Sequence, residues 1–282
     1  MSLILVTGAA GNVGARIVRR LGKRNAAVRA FIRPGQARPA GASIEVFEGD
    51  MADRERVKAA MKGVSKVYLL AVGPDLPVLE ANVIEAAREA RVEHIVKHSV
   101  QGAQHEAAEI PRRHRASEKR IEEAGLPFTF LRPGSFASNA LGWAAMLKRG
   151  DVVYGPLGEA ALPVIDPEDI AAVAEKVLAE SGHTGKAYDL TGPEALTTAE
   201  QVAIMGKVLG RKLSFVNIPD EAARKSMVDA GMAAVYADAM IDLIRTLRGL
   251  GRVAPSPAVA ELLGRPATAF GSFIEANAAV FR

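Results

Sequence analysis

Three groups of residues have the types and spacing for chemistry. The first is Thr7-Gly8-Ala9-Ala10-Gly11-Asn12-Val13-Gly14, a G-x-x-G-x-x-G run. In such a run one glycine makes a tight turn. The next lets the backbone approach a pyrophosphate, and the last lets a helix pack closely on a strand. A helix starting there aims unpaired N–H groups and the positive end of its dipole at the phosphates. The second group is His114-x-x-x-Glu118. Spacing of four puts both side chains on one helix face. There Glu118 can orient the imidazole and raise its pKa, which makes His114 a proton donor. The bland alternative is a packed histidine beside a helix-surface ion pair. The third is Ser99, whose hydroxyl either bonds a substrate oxygen or simply ends a strand, with His98 facing elsewhere.

These groups need a scaffold. The glycine run follows a strand at Leu3 to Val6 and opens a helix at Asn12 to Leu21. Further strands are expected at Val28 to Ile32, Ile44 to Phe47, Val67 to Val72, His94 to His98 and Phe128 to Leu131. Helices are expected from Arg54 to Met61, Leu79 to Arg91 and Arg113 to Ala124. Regular β-α-β alternation predicts an α/β fold, a Rossmann-type doubly wound parallel sheet with helices on both faces. That context turns a weak glycine motif into a strong one, and a nicotinamide dinucleotide is the expected ligand.

The nucleotide's ribose 2′ position is met at the end of the second strand, where an acid favours NAD(H). Here Phe31-Ile32-Arg33-Pro34-Gly35 holds no acid. Arg33 lies 19 residues past Gly14, and a guanidinium suits a phosphate. NADP(H) is therefore expected over NAD(H), with Arg38 able to help; the alternative for Arg33 is a solvated surface arginine. Asp50 and Met51 follow the third strand, beside the expected adenine. Asp50 either accepts from the adenine amino group or caps the helix that starts near Asp53. Ala71, Val72 and Gly73 are expected to end the fourth strand and run past the ribose and nicotinamide.

After Pro133 the alternation loosens. Strands are expected at Leu162 to Ile165, Ala187 to Leu190 and Leu213 to Asn217. Helices follow at Pro167 to Ala179, Thr198 to Val208, Glu221 to Asp229, Asp238 to Leu247 and Phe270 to Phe281. The reading is a dinucleotide-binding domain over 1–133 and a smaller substrate-binding α/β lobe over 134–282, packed on it. Phe136 and Trp143 either wall a pocket for a flat aromatic substrate or pack as core, and Asn139 can add a polar contact. The helices between Pro219 and Leu250 can build a homodimer face or serve as core.

The chain has 282 residues, 49% of them hydrophobic, and no cysteine. Disulfides, thiolate metal sites and a cysteine nucleophile are excluded, no metal site is expected, and a reducing cytoplasm is compatible. There is no apolar run of membrane-spanning length and no signal-peptide pattern, so no membrane partner is expected. The net charge of +4 favours an anionic ligand, and the spread of basic residues argues against nucleic-acid binding.

The glycine run, the strand ending in Arg33, Gly49-Asp50, His114-Arg115-Ala116-Ser117-Glu118 and Gly125 to Phe136 together resemble the NmrA-like branch of the atypical short-chain dehydrogenase/reductases. The likeness extends to Leu263-Gly264-Arg265-Pro266 and Phe270 through Asn277. Short-chain dehydrogenases carry Tyr-x-x-x-Lys. Here Tyr68, Tyr154, Tyr188 and Tyr236 are followed four residues later by Val72, Gly158, Gly192 and Met240, so that acid is absent. The resemblance implies either an NADPH-dependent reductase of a quinone or similar aromatic or carbonyl compound, or an NADP(H)-sensing regulator without turnover. Quinone reduction tolerates the missing tyrosine, because water can supply the proton.

Overall fold

The computed structural model describes residues 2–282, which divide into two compact units. The chain begins with β1 (Leu3–Val6), α1 (Gly14–Lys23), β2 (Ala27–Ile32), β3 (Ile44–Glu48) and α2 (Arg54–Ala60). It continues through β4 (Val64–Leu69), α3 (Leu76–Glu89), β5 (His94–His98), α4 (Glu109–Glu123) and β6 (Phe128–Pro133). Next come α5 (Ala144–Leu147), β7 (Val152–Gly155), β8 (Leu162–Pro163), α6 (Pro167–Ala179) and β9 (Lys186–Leu190). The remainder is β10 (Ala195–Leu196), α7 (Thr198–Leu209), β11 (Ser214–Asn217), α8 (Asp220–Asp229), α9 (Ala234–Leu250), α10 (Ala258–Leu263) and α11 (Phe270–Ala276).

The first unit holds residues up to Glu106, Pro111–Pro133 and Ile170–Asp189. Its sheet has seven strands in the order β3-β2-β1-β4-β5-β6-β9. Every pair from β3 through β6 is parallel. β9 runs alongside β6 in the same direction. The Gly185 N–H donates to the Phe128 carbonyl near one end, and the Gly134 N–H donates to the Leu190 carbonyl near the other. Strands covered on both faces read as near-continuous apolar runs, as β1 does in Leu-Ile-Leu-Val; all five residues of β5 are buried too, His94, Lys97 and His98 included. Leu5, Val67, Leu69, Ile84, Ile95 and Phe130 share one core cluster. Strand order reverses between β1 and β4, and ligands of such sheets bind at the carboxyl ends on either side of that reversal.

The second unit comprises Ala107–Ile110, Gly134–Asp169 and Leu190–Arg282. It contains a parallel pair, β7 with β11, and an antiparallel pair, β8 with β10. Val153, Val202, Met205, Phe270, Phe273 and Ile274 form its core. The expected boundary at 133 falls at the end of β6, where the chain passes into this unit after the short earlier visit of Ala107–Ile110. Residues 170–189 then return, and β9 becomes the seventh strand of the main sheet.

Several bounds differ from expectation for local reasons. The fourth strand is Val64–Leu69 rather than 67–72. Its polar start is tolerated because Ser65 Oγ donates to the Leu3 carbonyl and Lys66 Nζ to the Leu178 carbonyl. Its end is set by Thr7, whose hydroxyl accepts from the Leu70 N–H at 2.8 Å and so takes that group out of the ladder. Ala71, Val72 and Gly73 therefore follow the strand instead of ending it. The stretch after Pro133, for which no element is expected, winds into a 3₁₀ helix over Ala137–Trp143 and then α5. The tail helix stops at Ala276, and a 3₁₀ turn spans Ala278–Phe281.

Candidate dinucleotide and catalytic site

The glycine run turns from β1 into α1. Gly8 has φ +60°, a left-handed conformation that a side chain disfavours. Gly11 N–H donates to Gly8 O at 2.9 Å, closing the turn. A Cβ on Gly14 would lie 2.2 Å from Gly8 O, so only glycine lets α1 start this close to the loop. No side chain caps α1, and no acid stands in its first turn. The positive end of the helix is thus left for an external anion. Thr7 fastens the loop to the end of β4 through its hydroxyl, which donates to the Leu70 carbonyl at 3.0 Å. Ala10, Asn12 and Val13 complete the turn, with Val13 buried.

Arg33 follows β2 and is exposed. Its backbone N–H donates to Gln36 Oε1 at 2.9 Å, while its guanidinium meets no acid among the described residues. Arg38, by contrast, is committed to Glu48. Asp50 does not cap α2. Asp53 does, accepting from the Glu55 and Arg56 N–H groups, while Asp50 Oδ1 accepts from Ala52 N–H at 2.8 Å. The segment is fixed from α3 by Asn82, whose amide donates to the Met51 carbonyl at 2.9 Å. Beyond β4, Ala71 is buried, Val72 is 75% exposed and Gly73 has φ +98°. These features fit a dinucleotide laid across the sheet edge: a cradle that a Cβ would fill, a helix end without a cap, and a cation without a partner.

The catalytic candidates are arranged differently from expectation. His114 is 8% exposed and does not pair with Glu118. Its Nδ1 lies 3.2 Å from Lys97 Nζ. Burial, then the Lys97 charge, hold its pKa well below the ordinary histidine value, the reverse of the expected rise. Glu118 instead accepts from Ser99 Oγ at 2.6 Å and from Arg132 through both oxygens, at 2.9 and 2.7 Å, with Arg115 at 3.1 Å. Burial would raise its pKa, but the Arg132 and Ser99 bonds outweigh that and hold it below the ordinary value. Both residues do stem from one face of α4, but β5 and β6 offer each a better partner than the other. Ser99 and Glu118 are brought together; His114 belongs to a separate group.

That group centres on Lys97. Its ammonium is fully buried and donates to Glu80 Oε1 at 2.7 Å, to the His98 carbonyl at 3.1 Å and to His114 Nδ1. Burial raises the Glu80 pKa against the opposing pull of Lys97, and its other oxygen, Oε2, is buried without a hydrogen-bond partner. His98 bonds outside this group: its Nδ1 meets Tyr68 OH at 2.7 Å. Burial pushes the Tyr68 hydroxyl up and the His98 ring down to about 3.

On the second unit, Phe136 precedes the 3₁₀ helix and bridges to Ile165. Trp143 packs half-buried against that unit's core, and Asn139 is exposed on the same helix.

The NmrA-like family model matches residues 1–251. The chain belongs to the NmrA-like family. It is 37% identical, over 99% of both chains, to (4-alkanoyl-5-oxo-2,5-dihydrofuran-3-yl)methyl phosphate reductase of Streptomyces griseus. It is 34% identical, again over 99% of both, to NAD(P)H azoreductase of Xenophilus azovorans. A crystal structure of an NADPH-dependent quinone oxidoreductase from Escherichia coli complexed with NADPH is 27% identical, with a TM-score of 0.85, covering 99% of this chain and 100% of that one.

Within this NmrA-like chain, sequence reasoning missed Lys97, Glu80, Arg132 and Asn82. A charged residue inside the buried run His94-Ile95-Val96-Lys97-His98 was the available signal. A lysine there must find an acceptor from another element. Asp189 on β9 was missed as well. Its Oδ1 is buried without a hydrogen-bond partner, and burial raises its pKa.

Proposed function

We propose that the protein is an NADPH-dependent reductase that delivers hydride to a quinone or a similar aromatic or carbonyl small molecule. The observation that carries the reading is the likeness, along essentially the whole chain, to reductases of a quinone, an azo compound and an oxo-dihydrofuran phosphate. The substrates named there share an electron-poor double bond that accepts hydride at one end and a proton at the other. Gly8, Gly11, Gly14 and the start of α1 would hold the pyrophosphate, Arg33 the 2′-phosphate, Asp50 and Met51 the adenine side, and Ala71 to Gly73 the nicotinamide side. The bound nicotinamide would supply the hydride, and the chain's own residues orient the acceptor. His114 stands as the candidate contact to the substrate acceptor atom, and Ser99 with Glu118 as a polar anchor. Phe136, Asn139 and Trp143 are the candidate substrate wall. The protein acts as a small-molecule enzyme of the cytoplasm, with no nucleic-acid partner, and the helices between Pro219 and Leu250 are a candidate homodimer face.

Purified protein mixed with NADPH and a panel of para-quinones, azo dyes and conjugated lactones tests this. One NADPH consumed per acceptor reduced, for at least one of these classes, is the expected result. Tight NADPH binding with no turnover across the panel contradicts it and favours a nucleotide sensor.

A further inference from the structure

We propose that Lys97 is a positioning residue. It holds His114 in the neutral tautomer with the proton on Nε2, so the ring offers an N–H to an acceptor atom of the substrate. The substrate contact rests on the reductase reading above; the Lys97–His114 bond does not.

The argument is one of hydrogen-bond accounting. An ammonium has three N–H groups and no lone pair. Lys97 Nζ is fully buried and has three acceptors in reach: Glu80 Oε1, the His98 carbonyl and His114 Nδ1. If His114 carried its proton on Nδ1, two donors would face each other at 3.2 Å in a dry interior. A proton passed from Lys97 to Glu80 changes nothing. The amine keeps two N–H groups, enough for the His98 carbonyl and His114 Nδ1. Nδ1 must therefore be the acceptor, and the ring proton sits on Nε2.

Nε2 has no hydrogen-bond partner among the described residues, yet the side chain is 8% exposed. Nε2 is not among the fully buried unpartnered atoms, so its N–H is open to an acceptor from outside the chain. His114 lies on α4, the helix that follows β5 past the carboxyl edge of the sheet, where ligands of this fold bind. An oxygen or azo nitrogen that gains negative charge on reduction strengthens this bond, and the Lys97 charge behind the ring polarises it further. The ring remains a hydrogen-bond donor throughout, so the proton that completes reduction comes from water. The charged and titratable groups facing His114 are Lys97 and His98 from β5 and Glu80 from α3. Glu118, one turn along α4, is turned to Ser99 and Arg132. None of these offers the ring a carboxylate, so it has no reason to charge near neutral pH.

Nitrogen-15 NMR of the nucleotide-free protein tests the assignment, with His114 identified by the resonances lost in His114→Gln. The expected result is an unprotonated Nδ1 and a protonated Nε2, unchanged from about pH 5 to about pH 8. A protonated Nδ1, or a ring that titrates in that window, overturns the proposal. The paired variant Lys97→Met with Glu80→Leu removes both buried charges together and so leaves none orphaned. In it the His114 Nδ1 resonance is expected to move and the two tautomers to mix; unchanged resonances would count against Lys97. If this variant does not fold, the wild-type spectrum still decides. The outcome is separate from the reductase test. The expected tautomer in a protein without turnover supports the Lys97 assignment and removes only the substrate from it.

Discussion

Gly14→Ala is expected to weaken NADPH binding by more than about 100-fold, roughly 3 kcal/mol or more. The new Cβ would lie 2.2 Å from Gly8 O and 2.8 Å from Gly8 C, backbone atoms that no rotamer change can move aside. Relief requires α1 to back away from the β1 loop. That withdraws the helix N-terminus from the phosphates and opens the turn that Gly11 N–H closes onto Gly8 O. Gly11→Ala is the internal control. Its Cβ would meet the same oxygen at 3.2 Å, a contact that a shift of a few tenths of an ångström relieves, so its loss should be much smaller. Overpacking also costs the empty protein about 1–3 kcal/mol of stability, which a melt without nucleotide reads separately. Near-wild-type NADPH affinity in Gly14→Ala would mean that the pyrophosphate does not lie on this turn.

Folding stability is expected to fall as the pH drops from about 6 to about 4.5, by at most about 1.4 kcal/mol per pH unit for each histidine kept neutral in the fold and offset in part by the raised Glu80 and Asp189 carboxyls. Of the four buried histidines, three carry most of this effect and His183 adds to it. Burial, the largest cause in each case, depresses His94 to about 4, His98 to about 3 and His114 well below its ordinary value. All three take protons in the unfolded chain below about pH 6.5, whereas the folded chain refuses them until a much lower pH. The unfolded state then binds more protons, so stability is full above that pH and is lost as pH falls, at about 1.4 kcal/mol per unit for each histidine. None of the three rings meets a carboxylate that would offset its burial. His94 Nε2 meets Thr129 Oγ1, His98 meets Tyr68, and His114 faces an ammonium. Urea unfolding followed by Trp143 fluorescence across this range measures the slope. A slope corresponding to fewer than one proton would contradict the burial of these rings as neutral groups.

The parallel sheet was legible because strands covered on both faces are mostly apolar and alternate regularly with helical patterns: β1 is apolar throughout, and β2, β5 and β6 carry their polar residues within apolar runs. The cradle was legible because its glycines answer a steric need that the sequence states directly: Gly14 cannot be anything else beside Gly8 O. Arg33 was legible as the cation that follows β2 with no acid beside it in sequence. The polar interior was not. The i, i+4 spacing correctly placed His114 and Glu118 on one face of α4, but spacing along a helix cannot reveal what the neighbouring strands bring. β5 supplies Lys97 to His114, and β6 supplies Arg132 to Glu118. The return of residues 170–189 to the main sheet was hidden for a similar reason. Lys186 to Leu190 is a mostly exposed or half-buried edge strand whose pairing with β6 leaves no mark in its own periodicity.

Calorimetric titration of the wild-type protein and Arg33→Ala with NADPH, NADP⁺, NADH and NAD⁺ tests the central claim most directly. The wild-type protein should bind the two phosphorylated nucleotides about ten- to a hundredfold more tightly than the other two. That is the worth of one to two charge-assisted hydrogen bonds from a guanidinium that has no acidic partner among the described residues. In Arg33→Ala the gap should close while NADH affinity stays where it was. Equal binding of all four nucleotides by the wild-type protein, or an equal loss for NADPH and NADH in the variant, would contradict the account of how this chain chooses its nucleotide.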